Sequence, residues 1–195
     1  EYHDNLDDAA LDAHWGVENV YNYWQSVRNV NSWNGSGGAL LNYVHADLPS
    51  INPYLFSDND NAFWDGTRMT YGDGTTAFNP VVSLDVIAHE TGHAFCSGVR
   101  IMRNVNYSIL SSGNEALALN EGMSDIWAAC VEQWAAPTKQ TWKVGEDIMK
   151  NGFSCLRSLS NPTTRGWRLG YSTEGNYNPY TGKAGTKNPD NQMNH

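Results

Sequence analysis

The sequence predicts an α+β fold with a β-rich first part and a helical second part. Three observations carry this: one helix-period stripe near the start, short β-prone pieces between turn residues over 32–76, and long helical patterns after residue 80. At 195 residues the chain fits one large domain or two lobes sharing a core.

Taken in order, residues 7–30 place Leu11, Trp15, Val20, Tyr23, Trp24 and Val27 at spacings near three and four behind the acidic pair Asp7 and Asp8. An amphipathic helix with a favourable N-terminal charge reads this way. Residues 39–45 and 68–72 are β-prone pieces bounded by Gly, Asn, Asp and Pro, so strands and turns are expected there. Residues 81–98 form a second helix, with Gly98 where helix C-termini are common. A third covers 115–136 and is stopped by Pro137; a shorter one is expected over 142–152. Beyond Asn161 the text turns to Gly, Asn, Pro, Thr and Tyr, a long polar loop.

Composition narrows the function classes. Twelve basic residues against 21 acidic give a net charge of −9 with no basic block, which argues against nucleic acid or an anionic membrane as partner. No apolar run approaches the ~18 residues of a membrane span. Charged residues make up only 17% of the chain while Asn alone numbers 22, a surface polar through amides, as in secreted proteins. Cys96, Cys130 and Cys155 are too few for a disulfide scaffold or a Cys-rich metal site. They are read as buried small hydrophobes, with one disulfide plus an odd thiol as the alternative.

The chemistry sits in His89-Glu90-Thr91-Gly92-His93. Residues four apart share a helical face, so both imidazoles can address one tetrahedral zinc ion while Glu90 faces the volume beside it. The flanks Val86, Ile87, Ala88, Ala94 and Phe95 are apolar, so the helix is buried, and unpartnered imidazoles there would be costly. A catalytic zinc needs a third protein ligand. Position 99 is Val, which removes the three-His alternative, so a carboxylate must serve. Glu121 and Asp125 lie four apart in the next helix: Glu121 can bind the metal and Asp125 can reach a ligand imidazole from behind.

With these residues in view the sequence resembles the thermolysin family of zinc neutral metallopeptidases, the HExxH plus distant Glu (gluzincin) type. The matching text runs Asn61-Ala62-Phe63-Trp64, Tyr71-Gly72-Asp73-Gly74, Asp85 to Glu90, Asn120-Glu121 with Ser124-Asp125-Ile126, Gly145-Glu146-Asp147, Leu156-Arg157-Ser158, and Asp190-Asn191 with His195. The resemblance implies a thermolysin-like two-lobed zincin, its β-rich N-terminal lobe joined to a helical lobe by the HExxH helix. Residues 1–82 would belong to the first lobe, carrying the scaffold helix and a substrate-binding edge strand; 83–195 would supply the active-site helix and the start of the second.

It also implies roles. His89, His93 and Glu121 would hold Zn²⁺, and Glu90 would act as general base toward a zinc-activated water. Asp125 and Asn120 would orient the ligands. His195, held by Asp190, would stabilise the oxyanion, with Tyr107 a weak candidate to assist. Asn61, Ala62 and Trp64 would line the peptide's track, and Arg157 would meet the substrate carbonyl. Phe78, Val81, Val86, Val144, Ile148 and Leu156 resemble an apolar pocket, implying cleavage on the amino side of bulky hydrophobic residues, although plain core packing explains them equally. The activity implied is that of a secreted zinc endopeptidase acting on polypeptides.

Departures from the family pattern set further expectations. Asp85, Glu132 and Glu146 match a calcium cluster, but Thr141 and Lys143 replace two of its acids, so the site should be reduced to one Ca²⁺ or lost, with an ammonium neutralising the carboxylates. The resemblance covers only the central part of the family's catalytic unit. The N- and C-terminal parts of the same protease are therefore expected partners, and the apolar faces of 84–98 and 115–136 would be exposed without them. Two other readings stay open: an aminopeptidase-type gluzincin, which lacks the NAFW and YGDG text, and an inactive or cleaved fragment serving as a zinc-binding interaction module.

Overall fold

The computed structural model describes residues 7–98, 114–150, 152 and 154–160. Helix α1 (Asp8–Arg28) begins where the Asp7 carboxylate accepts the Ala10 N–H at 2.9 Å and ends at Asn29, whose φ of 53° breaks the helical path. Its buried face is Ala9, Ala13, Gly16, Val20, Tyr23 and Trp24; Val20, Tyr23 and Trp24 are buried as the sequence stripe predicts, whereas Leu11, Trp15 and Val27 are about half exposed. Close packing explains the difference. A Cβ on Gly16 would lie 2.4 Å from Ile87 Cδ1, so at that crossing point α1 has room for no side chain, and small residues join the larger ones on its buried face.

Strands β1 (Leu41–Ala46), β2 (Ala62–Trp64) and β3 (Arg68–Gly72) form one sheet in the order β1-β3-β2. The central strand pairs parallel with β1 and antiparallel with β2. A single short helical turn, α2 (Leu48–Ile51), follows β1. The sheet packs through β2 on α3 (Leu84–Gly98), and α3 packs on α4 (Asn114–Ala135). Trp24 of α1 stacks on Phe95 of α3, with centroids 4.0 Å apart, and meets Trp127 of α4 at 4.7 Å, so three helices share one aromatic joint.

Residues 84–96 of α3 are buried on every side, against the expectation of an exposed apolar face; α4 does expose Leu119, Ile126 and Trp134. The predicted helix over 142–152 is absent over 142–150. Lys143–Val144 (β4) pairs antiparallel with Arg157–Ser158 (β5), and Gly145 at φ 74° turns the chain so that its N–H donates to the Asp85 carboxylate. All three cysteines are free; Cys96 and Cys155 are buried and Cys130 half-buried. Among the described residues no helix is long and apolar enough to cross a membrane.

Candidate metal centre

The i, i+4 spacing in α3 brings the two imidazoles together as the sequence predicts, with His89 Nε2 and His93 Nε2 3.1 Å apart. From α4, Glu121 places Oε2 3.2 Å from His89 Nε2 and Oε1 3.6 Å from His93 Nε2. Four donors at ~2.0–2.2 Å from a tetrahedral ion would stand about 3.3–3.6 Å from one another, so the three side chains meet at the spacing zinc requires. Burial alone would lower the His89 pKa, but its bonds to Asp125 and Glu121 outweigh this and push it up to about 10. The surroundings therefore favour positive charge where the donors converge.

Glu90 lies beside this centre, its carboxylate within 4.8 Å of donor atoms of both histidines. It is buried, its Oε2 has no hydrogen-bond partner among the described residues, and the Trp64 backbone N–H donates to its carboxyl. Burial raises its pKa to about 8; Glu121 adds to the rise, while His89 and Arg157 oppose it. A buried carboxyl poised near neutrality beside two imidazoles is suited to proton transfer.

Behind the donors, Asp125 Oδ1 lies 2.8 Å from His89 Nδ1, consistent with Nδ1–H donating to the carboxylate. Arg157 Nε donates to Asp125 Oδ2 at 2.8 Å and its Nη2 to Oδ1. Burial alone would raise the Asp125 pKa, but the Arg157 guanidinium and the bond to His89 hold it well below the usual carboxylate range. His93 is met at Nδ1 by Ser124 Oγ, 3.1 Å away. Asn120, expected to orient His93, is buried nearby with its Oδ1 unpartnered among the described residues.

The substrate-side residues sit on β2 and its approach. Ala62 and Trp64 are buried; Asn61 Oδ1 accepts the Ala62 N–H at 2.9 Å, and Asn61 O accepts the Gly72 N–H. One residue earlier stands an anchor that sequence did not single out. The buried Asp60 carboxylate accepts the backbone N–H groups of Thr75, Thr76, Ala77 and Phe78, fixing the turn between β3 and α3. In sequence, Asp58-Asn59-Asp60 reads only as a polar turn. Phe78, Val81, Val86, Val144 and Ile148 are all buried.

A second cluster joins Asp85, Glu132 and Glu146, whose carboxylate oxygens lie within 4.8 Å of one another. Asp85 already accepts from Ser83 Oγ and from the N–H groups of Val86 and Gly145, whereas Glu132 Oε2 and both Glu146 oxygens are unpartnered among the described residues. Burial first, then mutual repulsion, raises Glu132 to about 8 and Glu146 to about 7. The Lys139 ammonium, paired with Asp147, opposes the rise in both. His195, Asp190 and Tyr107 lie outside the described residues.

Comparison with known proteins gives the family. The model of the thermolysin metallopeptidase catalytic domain matches residues 1–97, and that of the thermolysin metallopeptidase alpha-helical domain matches 108–194. Bacillolysin of Brevibacillus brevis is 38% identical over 164 residues, covering 82% of this chain and 27% of its own. Thermolysin of Alicyclobacillus acidocaldarius subsp. acidocaldarius is 36% identical over 167 residues, 83% of this chain and 27% of its own. Among solved structures, the precursor of protealysin, a metalloproteinase from Serratia proteamaculans, aligns with a TM-score of 0.68 at 28% identity, covering 83% of this chain and 47% of that one. The chain thus spans about a quarter of the length of these curated relatives.

Proposed function

The chain belongs to the thermolysin family of metallopeptidases, and on that premise we propose that it carries the zinc centre of a secreted endopeptidase. The observation that supports this most directly is the convergence of His89, His93 and Glu121 at tetrahedral donor spacing beside a buried, half-unpartnered Glu90. His89, His93 and Glu121 are the metal ligands. Zinc bound there supplies a Lewis acid that polarises a carbonyl and makes water acidic enough to attack near neutral pH.

The chain's own groups do the rest. Glu90 takes the attacking water's proton on Oε2 and passes it to the leaving amine, a transfer worth ~10²–10⁴ in rate. Asp125 fixes the His89 ring. Arg157 offers the substrate carbonyl Nη1, the guanidinium nitrogen that Asp125 leaves unengaged. Asn61 and Ala62 hold an extended polypeptide along the edge of β2, with Trp64 behind them. Asp190 and His195 stabilise the oxyanion, and the apolar pocket from Phe78 to Leu156 selects bulky hydrophobic residues on the carboxyl side of the cut.

Residues 1–82 form part of the N-terminal lobe and 83–195 the active-site helix with part of the helical lobe, the remaining parts of the protease being their partners. The Asp85, Glu132 and Glu146 cluster has oxygens for one calcium ion, not two, since Asp85 is already engaged by three donors.

The test is zinc analysis and casein hydrolysis on the protein and its Glu90→Gln variant. Both should bind one zinc per chain, and the variant should lose about two to four orders of magnitude in activity. Full activity in the variant, or zinc-loaded parent protein that cleaves no peptide, would refute the reading.

A further inference from the structure

The loop before β1 sets one indole against both elements that hold Glu90. Trp33 meets Trp64 of β2 with ring centroids 5.3 Å apart and planes inclined at 59°. It also meets the end of α3: a Cβ on Gly98 would lie 2.6 Å from Trp33 Cε3 and closer still to the Trp33 carbonyl oxygen. Gly38 clears space in the same way, since a Cβ there would lie 2.8 Å from Trp33 Nε1. The loop that carries this ring is tied to itself. Asn34 Oδ1 accepts the N–H groups of Ser36 and Gly38, each at 2.9 Å, the Gly37 N–H donates to Asn31 O at 2.9 Å, and Trp33 Nε1 donates to Ala39 O at 3.2 Å.

We infer that Trp33 is a positioning residue for Glu90, acting through Trp64 and the end of α3. Glu90 lies on α3 about two turns before Gly98, while the Trp64 backbone N–H that donates to its carboxyl comes from β2. Trp33 touches both elements, so it fixes the last residue of β2 relative to α3 and, with it, the place of that N–H at the carboxyl. A strand of three residues paired on β3 needs such a brace at its end. Close-packed interiors transmit a displacement, and an error of ~1 Å at a reacting group can cost ~10²-fold in rate. Asn61 and Ala62 are held from the other direction, by Gly72 and Tyr71, so Trp33 acts on the proton-transfer step more than on the grip on substrate. This rests on the endopeptidase reading above and extends it to a residue outside the cleft's own elements.

The test separates kcat from KM on a peptide substrate, with kcat taken per zinc-loaded chain so that misfolded protein does not count. Trp33→Ala should lower kcat about tenfold to a hundredfold while KM stays within about threefold of the parent's. Trp33→Phe keeps a ring against Trp64 and should recover most of that loss. Packing alone would lower the melting temperature and the zinc content and leave kcat per zinc-loaded chain unmoved. Should Trp33→Ala not fold, Trp33→Leu takes its place, and if neither folds the ring is structural and the inference falls. A folded Ala or Leu variant within about twofold of the parent's kcat overturns the role of Trp33, as does a loss that Phe leaves unrepaired or one carried by KM. In each of these cases an inactive Glu90→Gln variant leaves the reading of Glu90 standing. A zinc-loaded parent that cleaves no peptide removes both.

Discussion

Arg157 closes on Asp125 from one side while His89 bonds it from the other, Nε to Oδ2 at 2.8 Å and Nδ1 to Oδ1 at 2.8 Å. A carboxylate with 2% of its side chain exposed is thereby satisfied by a cation and by an imidazole whose other nitrogen faces Glu121. Asp125→Asn removes the charge but keeps the shape, leaving the guanidinium unpaired in a partly buried position. Breaking a buried pair costs ~3–5 kcal/mol, and because Arg157 is 30% exposed the lower end is expected. Chemical denaturation should show a loss of about 2–3 kcal/mol; a change below ~0.5 kcal/mol would mean that the clamp contributes nothing. The pH dependence follows from the depressed pKa of Asp125: its contribution is whole above the ordinary value of 3.8 and lost as the pH falls through the lower, folded one.

The second carboxylate cluster has the opposite sign. Glu132 and Glu146 keep their protons to about pH 8 and about pH 7, whereas an unfolded chain releases them near 4.5. Their contribution to stability is therefore present below pH 4.5 and lost as the pH rises toward 8. Without divalent cations, Glu132→Gln should melt above the parent at pH 8 by at least ~2 °C, the shift that ~1 kcal/mol produces in a chain of this size, and the gap should close at pH 5. Calcium should raise the parent's melting temperature at pH 8 and leave the variant's almost unmoved. An equal response in both proteins would rule out an ion bound at Glu132.

Asp60 carries the turn that connects the sheet to α3, the helix of His89 and His93. Asp60→Ala would leave up to four backbone N–H groups without their acceptor. At ~1–3 kcal/mol for each group left buried and unmade, a loss of at least ~3 kcal/mol is expected, or about 6–12 °C. Asp60→Asn, which keeps one accepting oxygen, should lose less. Differential scanning calorimetry decides the matter: a drop of under ~2 °C in the alanine variant would show that water replaces the carboxylate without cost.

The parts of this molecule that were legible in sequence are those whose signal is local. α1, α3 and α4 announce themselves by long apolar periodicity, and His89 with His93 by their spacing on one of these helices. Glu121 needed the family resemblance as well, because nothing in an acidic helix says which carboxylate will face an imidazole 28 residues away. The error over 142–150 has a definite source: Val144 and Ile148 are four apart, as in a helix, but Gly145 takes a left-handed conformation and Val144 pairs across to Arg157. The buried face of α1 was read in part: Val20, Tyr23 and Trp24 follow the apolar spacing, while Ala9, Ala13 and Gly16 give no hydrophobic signal, and at Gly16 the closeness of Ile87 excludes a side chain. Asp60 escaped for a related reason: its role depends on partners distant in the chain, and Asp in polar surroundings carries no periodic signature.

β2 is three residues long and stands at the margin of its sheet among the described residues, paired only with β3. In the proposed function such a ledge would offer backbone groups for only two or three bonds to an incoming strand. It is too short to template a growing stack of copies, and brevity is one of the ways exposed sheet margins avoid fibril formation. On the proposed function, the shortness that restricts how much chain β2 can hold also restricts any tendency to self-assemble through it.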